Sequence, residues 1–136
     1  MLKARAAREV VLRMPNEIGT LNKITKVLAE KGMNLTAVSA WVEGADVIVR
    51  LLSEESRRVA DALDGHGHQV REVDVIVTEM PHKPGMLRRI TDRLAQEEID
   101  IHHLYATSSP AHDSAVVVFA TANNDRALVL LNTEGR

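Results

Sequence analysis

A chain of 136 residues suits one ordinary domain or two small ones, and 45% hydrophobic with 26% charged residues is a packed globular composition, which excludes a disordered or fibrous chain. With 17 basic and 19 acidic residues the formal charge is −2, giving no electrostatic footprint for nucleic acid or an anionic membrane. The absence of cysteine excludes disulfides, a thiolate nucleophile and thiolate metal sites.

The first predicted element is REVVLRM (residues 8–14), an aliphatic run that stops at Pro15 as strands do. A helix follows, because Leu21, Ile24, Val27 and Leu28 recur at helical spacing, with Asn16 as its cap and Gly32 as its stop. Residues 34–42 and 47–52 then form a hairpin around Glu43, Gly44, Ala45 and Asp46. Ser53 caps a second helix that carries Val59, Ala62 and Leu63 and ends near Gly65. Residues 69–80 are long enough for the last strand of one unit to run into the first strand of another.

The same order then repeats. A shift of 66 lays residues 14–35 on residues 80–101, with Met14/Met80, Pro15/Pro81, Gly19/Gly85, Leu21/Leu87, Ile24/Ile90, Thr25/Thr91, Leu28/Leu94 and Ala29/Ala95 identical. Farther on the shift grows to about 69, pairing Val47, Ile48 and Val49 with Val116, Val117 and Val118, so the second hairpin is expected to be longer by about three residues. The fold class is therefore α+β: two ferredoxin-like βαββαβ units, residues 1–70 and 71–136, each an antiparallel sheet with helices on one face. The last strand of the second unit would fall beyond Arg136, whereas residues 4–14 align without a gap on residues 70–80. Residues 4–9 are thus expected to complete the second sheet, within the chain or across a dimer; a frayed terminus is the alternative.

Strand, Asn or Asp, a frequent Pro, Gly, any residue, Leu, then an amphipathic helix with a Gly-x-Asn-Ile-like exit is a pattern that resembles the ACT domain family. The first copy reads Asn16-Glu17-Ile18-Gly19-Thr20-Leu21 and closes with Gly32-Met33-Asn34-Leu35; the second reads His82-Lys83-Pro84-Gly85-Met86-Leu87 and closes with Ile99-Asp100-Ile101. Ile18 replaces the family's usual proline, and His82 its usual Asn or Asp. The resemblance implies a non-catalytic regulatory protein that binds an amino acid or related metabolite between paired domains, the turn before the first helix of one facing the second strand of its neighbour. It implies a homodimer, an enzyme of amino-acid metabolism as partner, and no cofactor. The rival reading is a structural or oligomerisation module without ligand, serving as an enzyme's regulatory subunit.

The implied ligand contacts are Asn16, Glu17, Ile18, Gly19, Thr20, Leu21, Asn34 and Leu35 in the first copy, and His82, Pro84, Gly85, Met86, Leu87, Asp100 and Ile101 in the second. Gly19 and Gly85, lacking a Cβ, let the backbone approach another chain or a ligand closely, and helix N–H groups beyond them seat a carboxylate. Asn16 and Asn34 are expected to face one mouth of the unit and, as carboxamides, to suit a zwitterion; singly, each is an ordinary cap or turn residue. His82 and Asp100 make the second site different, so amino-acid binding is expected mainly in the first unit.

Other readings have less support. His66, His68, His82, His102, His103 and His112 lack a companion carboxylate or thiolate set, so surface histidines are expected rather than a metal site. Trp41, Tyr105 and Phe119 are the only aromatic residues, leaving the central strands without the stacking platforms of an RNA-binding βαββαβ module; Trp41 suits packing or a subunit interface. No nucleophile elbow, phosphate loop or His-Glu-x-x-His run supports an enzyme. No apolar run approaches the roughly 20 residues that cross a bilayer, and the opening MLKARAAREVV lacks a signal-peptide core, which makes a cytoplasmic address the expectation and excludes a membrane partner.

Overall fold

The computed structural model describes residues 2–64, 69–109, 111 and 113–133. They divide into two compact units, one of Arg8–Val73 and the other of residues up to Ala7 with those from Asp74 onward. The first unit contains β1 (Lys3–Pro15) from Arg8 on, α1 (Thr20–Glu30), β2 (Ala37–Glu43), β3 (Asp46–Leu52), α2 (Ser56–Asp64) and the start of β4 (Gln69–Pro81). The second contains the rest of β4, then α3 (Met86–Gln96), β5 (Ile101–Ser109), β6 (Ser114–Thr121) and α4 (Asn124–Thr133), with residues 3–7 of β1. Strand order runs β2-β3-β1 in the first unit and β5-β6-β4 in the second.

Each unit buries one sheet face under two helices. In the first, Val10, Leu12 and Met14 alternate along β1, Val49 and Leu51 along β3, and they pack with Ile24 and Leu28 of α1 and with Val59 and Leu63 of α2. In the second, Ile76, Met80, Val117 and Phe119 pack with Met86, Ile90 and Leu94 of α3 and with Ala127 and Leu131 of α4. Burying one such aliphatic side chain contributes roughly 1.5–3 kcal/mol, so these faces drive folding of an almost aromatic-free chain. Leu2 and Ala4 pack against the second core, and the Ala4 backbone is tied to Asn132, whose Oδ1 accepts the Ala4 N–H at 3.1 Å and whose Nδ2 donates to the Ala4 carbonyl at 3.0 Å.

Strand register corrects the expected repeat by one residue. Met14 faces Val47 and Leu12 faces Val49, while Met80 faces Ala115 and Thr78 faces Val117. The shift is thus 68 residues at β3 and β6 (115 − 47), not 69, and Val47, Ile48 and Val49 correspond to Ala115, Val116 and Val117. A one-residue slip would exchange the faces of the strand, and Val49 and Val117 both belong to helix-facing cores. Ala40 faces Val49 and Ala106 faces Val117, so β2 and β5 keep the shift of 66 (106 − 40). The second hairpin is longer by two residues, having four between its strands (110–113) where the first has two (Gly44 and Ala45).

The helix ends show where local chemistry acts. Gly19, at φ 89°, is the N-cap of α1, which has no side-chain cap; Asn16 lies three residues upstream and its backbone N–H donates to the Ala45 carbonyl at 2.9 Å, so the expected Asn16 cap is not formed. At the other end Met33 N–H reaches the Leu28 carbonyl (2.9 Å) and Gly32 N–H the Ala29 carbonyl (3.1 Å), a Schellman closure around Gly32 at φ 67°. Ser53 Oγ accepts the Glu55 N–H at 3.1 Å and donates to the Asn34 carbonyl at 3.0 Å, which fixes the turn into α2; Gly65, the expected stop of that helix, lies outside the described residues. No helix among the described residues is long and apolar enough to cross a membrane.

Candidate functional site

The second unit holds a cavity of about 340 Å³ at the turn between β4 and α3. Gly85 creates this turn by taking φ 89°, a left-handed conformation that glycine adopts without strain. A Cβ at Gly85 or at Gly19 would meet no atom of the described residues within 4 Å, so within the chain it is the left-handed φ that calls for glycine. Met86 N–H donates to the Lys83 carbonyl at 3.3 Å and Arg89 N–H to the Gly85 carbonyl at 3.1 Å. Between them, the N–H groups of Leu87 and Arg88 have no acceptor among the described residues, as first-turn donors lack one by construction.

The cavity floor is apolar, made by Met80 of β4, Met86 of α3 and Ala115 and Val117 of β6. One wall is β5, where Ala106 and Ser108 share the helix-facing side because they pair with Val117 and Ala115. The rim is the turn itself, with Pro81, His82, Lys83, Leu87 and Arg88. A volume of this size, apolar with a few convergent polar groups, suits a small metabolite.

Of the residues implied for the second copy, His82, Gly85, Met86 and Leu87 line the cavity, while Pro84, Asp100 and Ile101 do not. Asp100 lies elsewhere: its carbonyl accepts the Ala122 N–H at 3.0 Å, past the far end of β6, and its carboxylate is 3.5 Å from His102 Nε2. His82 N–H instead donates to Asp113 in the hairpin turn, at 3.1 Å.

The first unit shows the same separation. Asn16 bonds to the hairpin turn through Ala45, whereas the Asn34 carbonyl accepts Ser53 just beyond Leu52. The seven residues of β3 lie between, roughly 20 Å. The expected single mouth for Asn16 and Asn34 is therefore wrong: α1 carries the chain back to the opposite end before β2 begins. Both are exposed, as are Glu17, Ile18, Gly19 and Leu21, with Thr20 and Leu35 half-buried; Thr20 Oγ1 donates to the Glu17 carbonyl at 2.9 Å.

Of the histidines, His82 is at the cavity, His102 is beside Asp100 and His103 packs its ring against Tyr105 with centroids 5.6 Å apart; His66, His68 and His112 lie outside the described residues. Trp41, on β2, donates from Nε1 to Glu43 at 3.3 Å. Sequence reasoning passed over Met80, Pro81, Lys83, Arg88, Ala106, Thr107, Ser108, Ala115 and Val117. The missing signal was the substitution pattern between copies once the true register is used: Ser108 and Ala115 stand where the first copy has Val42 and Val47, and the smaller side chains leave room.

Comparison with known proteins gives the same fold. A family model described as an ACT domain pair matches residues 6–134. Protein BT0572 from Bacteroides thetaiotaomicron is 26% identical and superposes with a TM-score of 0.88, over 95% of this chain and 88% of that one. The ligand-free regulatory subunit of aspartate kinase from Thermus thermophilus is 13% identical, with a TM-score of 0.68 over 99% of this chain and 97% of its own. That from Thermus flavus is 16% identical, with a TM-score of 0.63 over 97% and 94%. At such identities the last two share the fold. No curated protein matches the sequence significantly. Since the family model spans nearly its whole length, the chain belongs to the ACT domain pair family.

Proposed function

We propose that this protein is a non-catalytic regulator that binds an amino acid or related metabolite in the second unit and acts on a partner enzyme of amino-acid metabolism in the cytoplasm. The observation that carries the reading is the cavity beneath the turn at Gly85, apolar below and lined by donors above. Two chains of the same fold are named as regulatory subunits of aspartate kinase, which supports the regulatory part. Ligand binding would act by favouring one arrangement of the protein over another, and a partner would read the difference. Thermal shift and calorimetry against the twenty amino acids and their 2-oxo acids test it: one saturable ligand is expected, and Ser108→Phe, which fills the cavity from an exposed strand position, should abolish its effect. A flat panel would refute the binding claim.

The first unit favours a pairing role. Ile18, Leu21, Val38, Trp41 and Val42 are exposed there, and β2 is an edge strand. A homodimer formed through this unit should dissociate in Val38→Glu, as read by sedimentation; an unchanged mass would count against it.

A further inference from the structure

The charge around the second-unit cavity is one-sided. Lys83 and Arg88 line it with His82, and among the described residues no aspartate or glutamate does. Both cations are exposed and neither has an ion-pair partner among the described residues. Beside them are the unaccepted N–H groups of Leu87 and Arg88 and the Ser108 hydroxyl. The first unit has Glu17 where this one has Lys83, and Asn22 where it has Arg88, so the pair changes from −1 to +2 between copies. With Ser108 and Ala115 in place of Val42 and Val47, the second unit has gained both room and positive charge.

A free amino acid matches half of this lining. Its carboxylate meets cations and helix N–H donors, the setting that binds anions best. Its ammonium meets fixed positive charge and no carboxylate, a partial desolvation without compensation. Replacing the ammonium by a carbonyl oxygen removes the repulsion and adds an acceptor for the surplus donors, while Met80, Met86 and Val117 receive an aliphatic tail.

We infer that the second-unit cavity takes 2-oxo acids with short aliphatic side chains in preference to the corresponding amino acids. The inference rests on the reading of this cavity as the regulatory site and names its ligand class.

The test is calorimetry on the full chain with matched pairs: leucine against 4-methyl-2-oxopentanoate, and valine against 3-methyl-2-oxobutanoate. One oxo acid should bind at least about tenfold more tightly than its amino acid, and Lys83→Glu or Arg88→Asn, each restoring the first unit's residue at an exposed position, should each weaken it by about tenfold or more. An amino acid that binds as well as its oxo acid, with binding lost in Ser108→Phe, overturns the ligand class and leaves the regulatory site standing. Oxo-acid binding unaffected by Lys83→Glu and Arg88→Asn also overturns the inference. Failure of both members of both pairs overturns the inference, while the proposed function falls only if the whole panel of twenty amino acids and their 2-oxo acids is flat.

Discussion

Glu98 occupies the position after α3 that Gly32 holds after α1. Ile99 N–H reaches the Leu94 carbonyl at 2.9 Å and Glu98 N–H the Ala95 carbonyl at 3.0 Å, the same closure as in the first unit, but Glu98 must take φ 56° to allow it. A non-glycine residue in that region costs roughly 1–2 kcal/mol, partly offset by its lower freedom in the unfolded chain, about 0.5–1 kcal/mol. Glu98→Gly is therefore expected to stabilise by about 0.5–1 kcal/mol and Gly32→Ala to destabilise by about the same, read from denaturant midpoints at constant slope. Equal midpoints for wild type and both variants would refute the strain argument. Gly32 was legible as a stop because glycine advertises a positive φ; Glu98 was not, since tertiary packing of Ile99 imposes the conformation on an ordinary residue. Asn16 misled for a related reason: its residue type suits a cap, yet the left-handed Gly19 starts the helix three positions later.

At the scale of strands and helices the two units use different ties. On β1 and β3, Arg50 Nε donates to Glu9 at 2.8 Å, with the glutamate side chain fully buried and that of Arg50 11% exposed. The matching residues of the second unit are Val75 and Val118, both buried. Glu9→Val alone leaves a buried guanidinium without its partner and should cost about 3 kcal/mol, whereas Glu9→Val with Arg50→Val should return to within about 1 kcal/mol of wild type. Additive losses in the double variant would show that the pair is not the source. Between α3 and α4, Glu97 accepts from Arg126 at 2.7 Å and from Arg93 at 3.2 Å. The Arg126 hydrogen bond, reinforced by the charges of both arginines, holds its carboxyl below the ordinary 4.5. A lowered folded value means stability complete above that ordinary value and lost as pH falls through the folded one. The melting gap between wild type and Glu97→Gln should accordingly narrow from pH 7 to pH 3; a constant gap would refute it. Solvent screening keeps the effect small. The helices were legible from apolar periodicity, because each buries a single face; the strands were legible as unbroken apolar runs, since Val10, Val11 and Leu12 of β1 and Val117, Val118 and Phe119 of β6 are all buried. The hairpin register was not, because a run such as Val116-Val117-Val118 looks alike on either face until a partner strand chooses.

At the scale of the whole molecule, the repeat made the architecture legible and also hid the site, since copies matched by their shared framework draw attention away from the differences at Lys83, Arg88, Ser108 and Ala115. The same repeat bears on the N-terminus. β1 and β4 are each 13 residues long, and each passes through both compact units. Leu2 is 8% exposed, packed in a cluster with Ile76, Phe119 and Leu131, and Ala4 exchanges two hydrogen bonds with Asn132 of α4. We propose that residues 3–7 serve as the fourth strand of the second unit's sheet. Deleting residues 2–7 then removes one buried leucine, worth about 2–3 kcal/mol, leaves the Asn132 carboxamide without its backbone partners, and bares an edge of β4. The expected result is a melting temperature lower by several degrees, with faster amide exchange in β4 and β6 and little change in β2 and β3. Leu2→Ala and Asn132→Ala should each reproduce part of the loss, of the order of 1–3 kcal/mol, without altering chain length. A frayed terminus would contribute no burial, so an unchanged melting temperature and unchanged exchange in β4 would exclude the fourth-strand role.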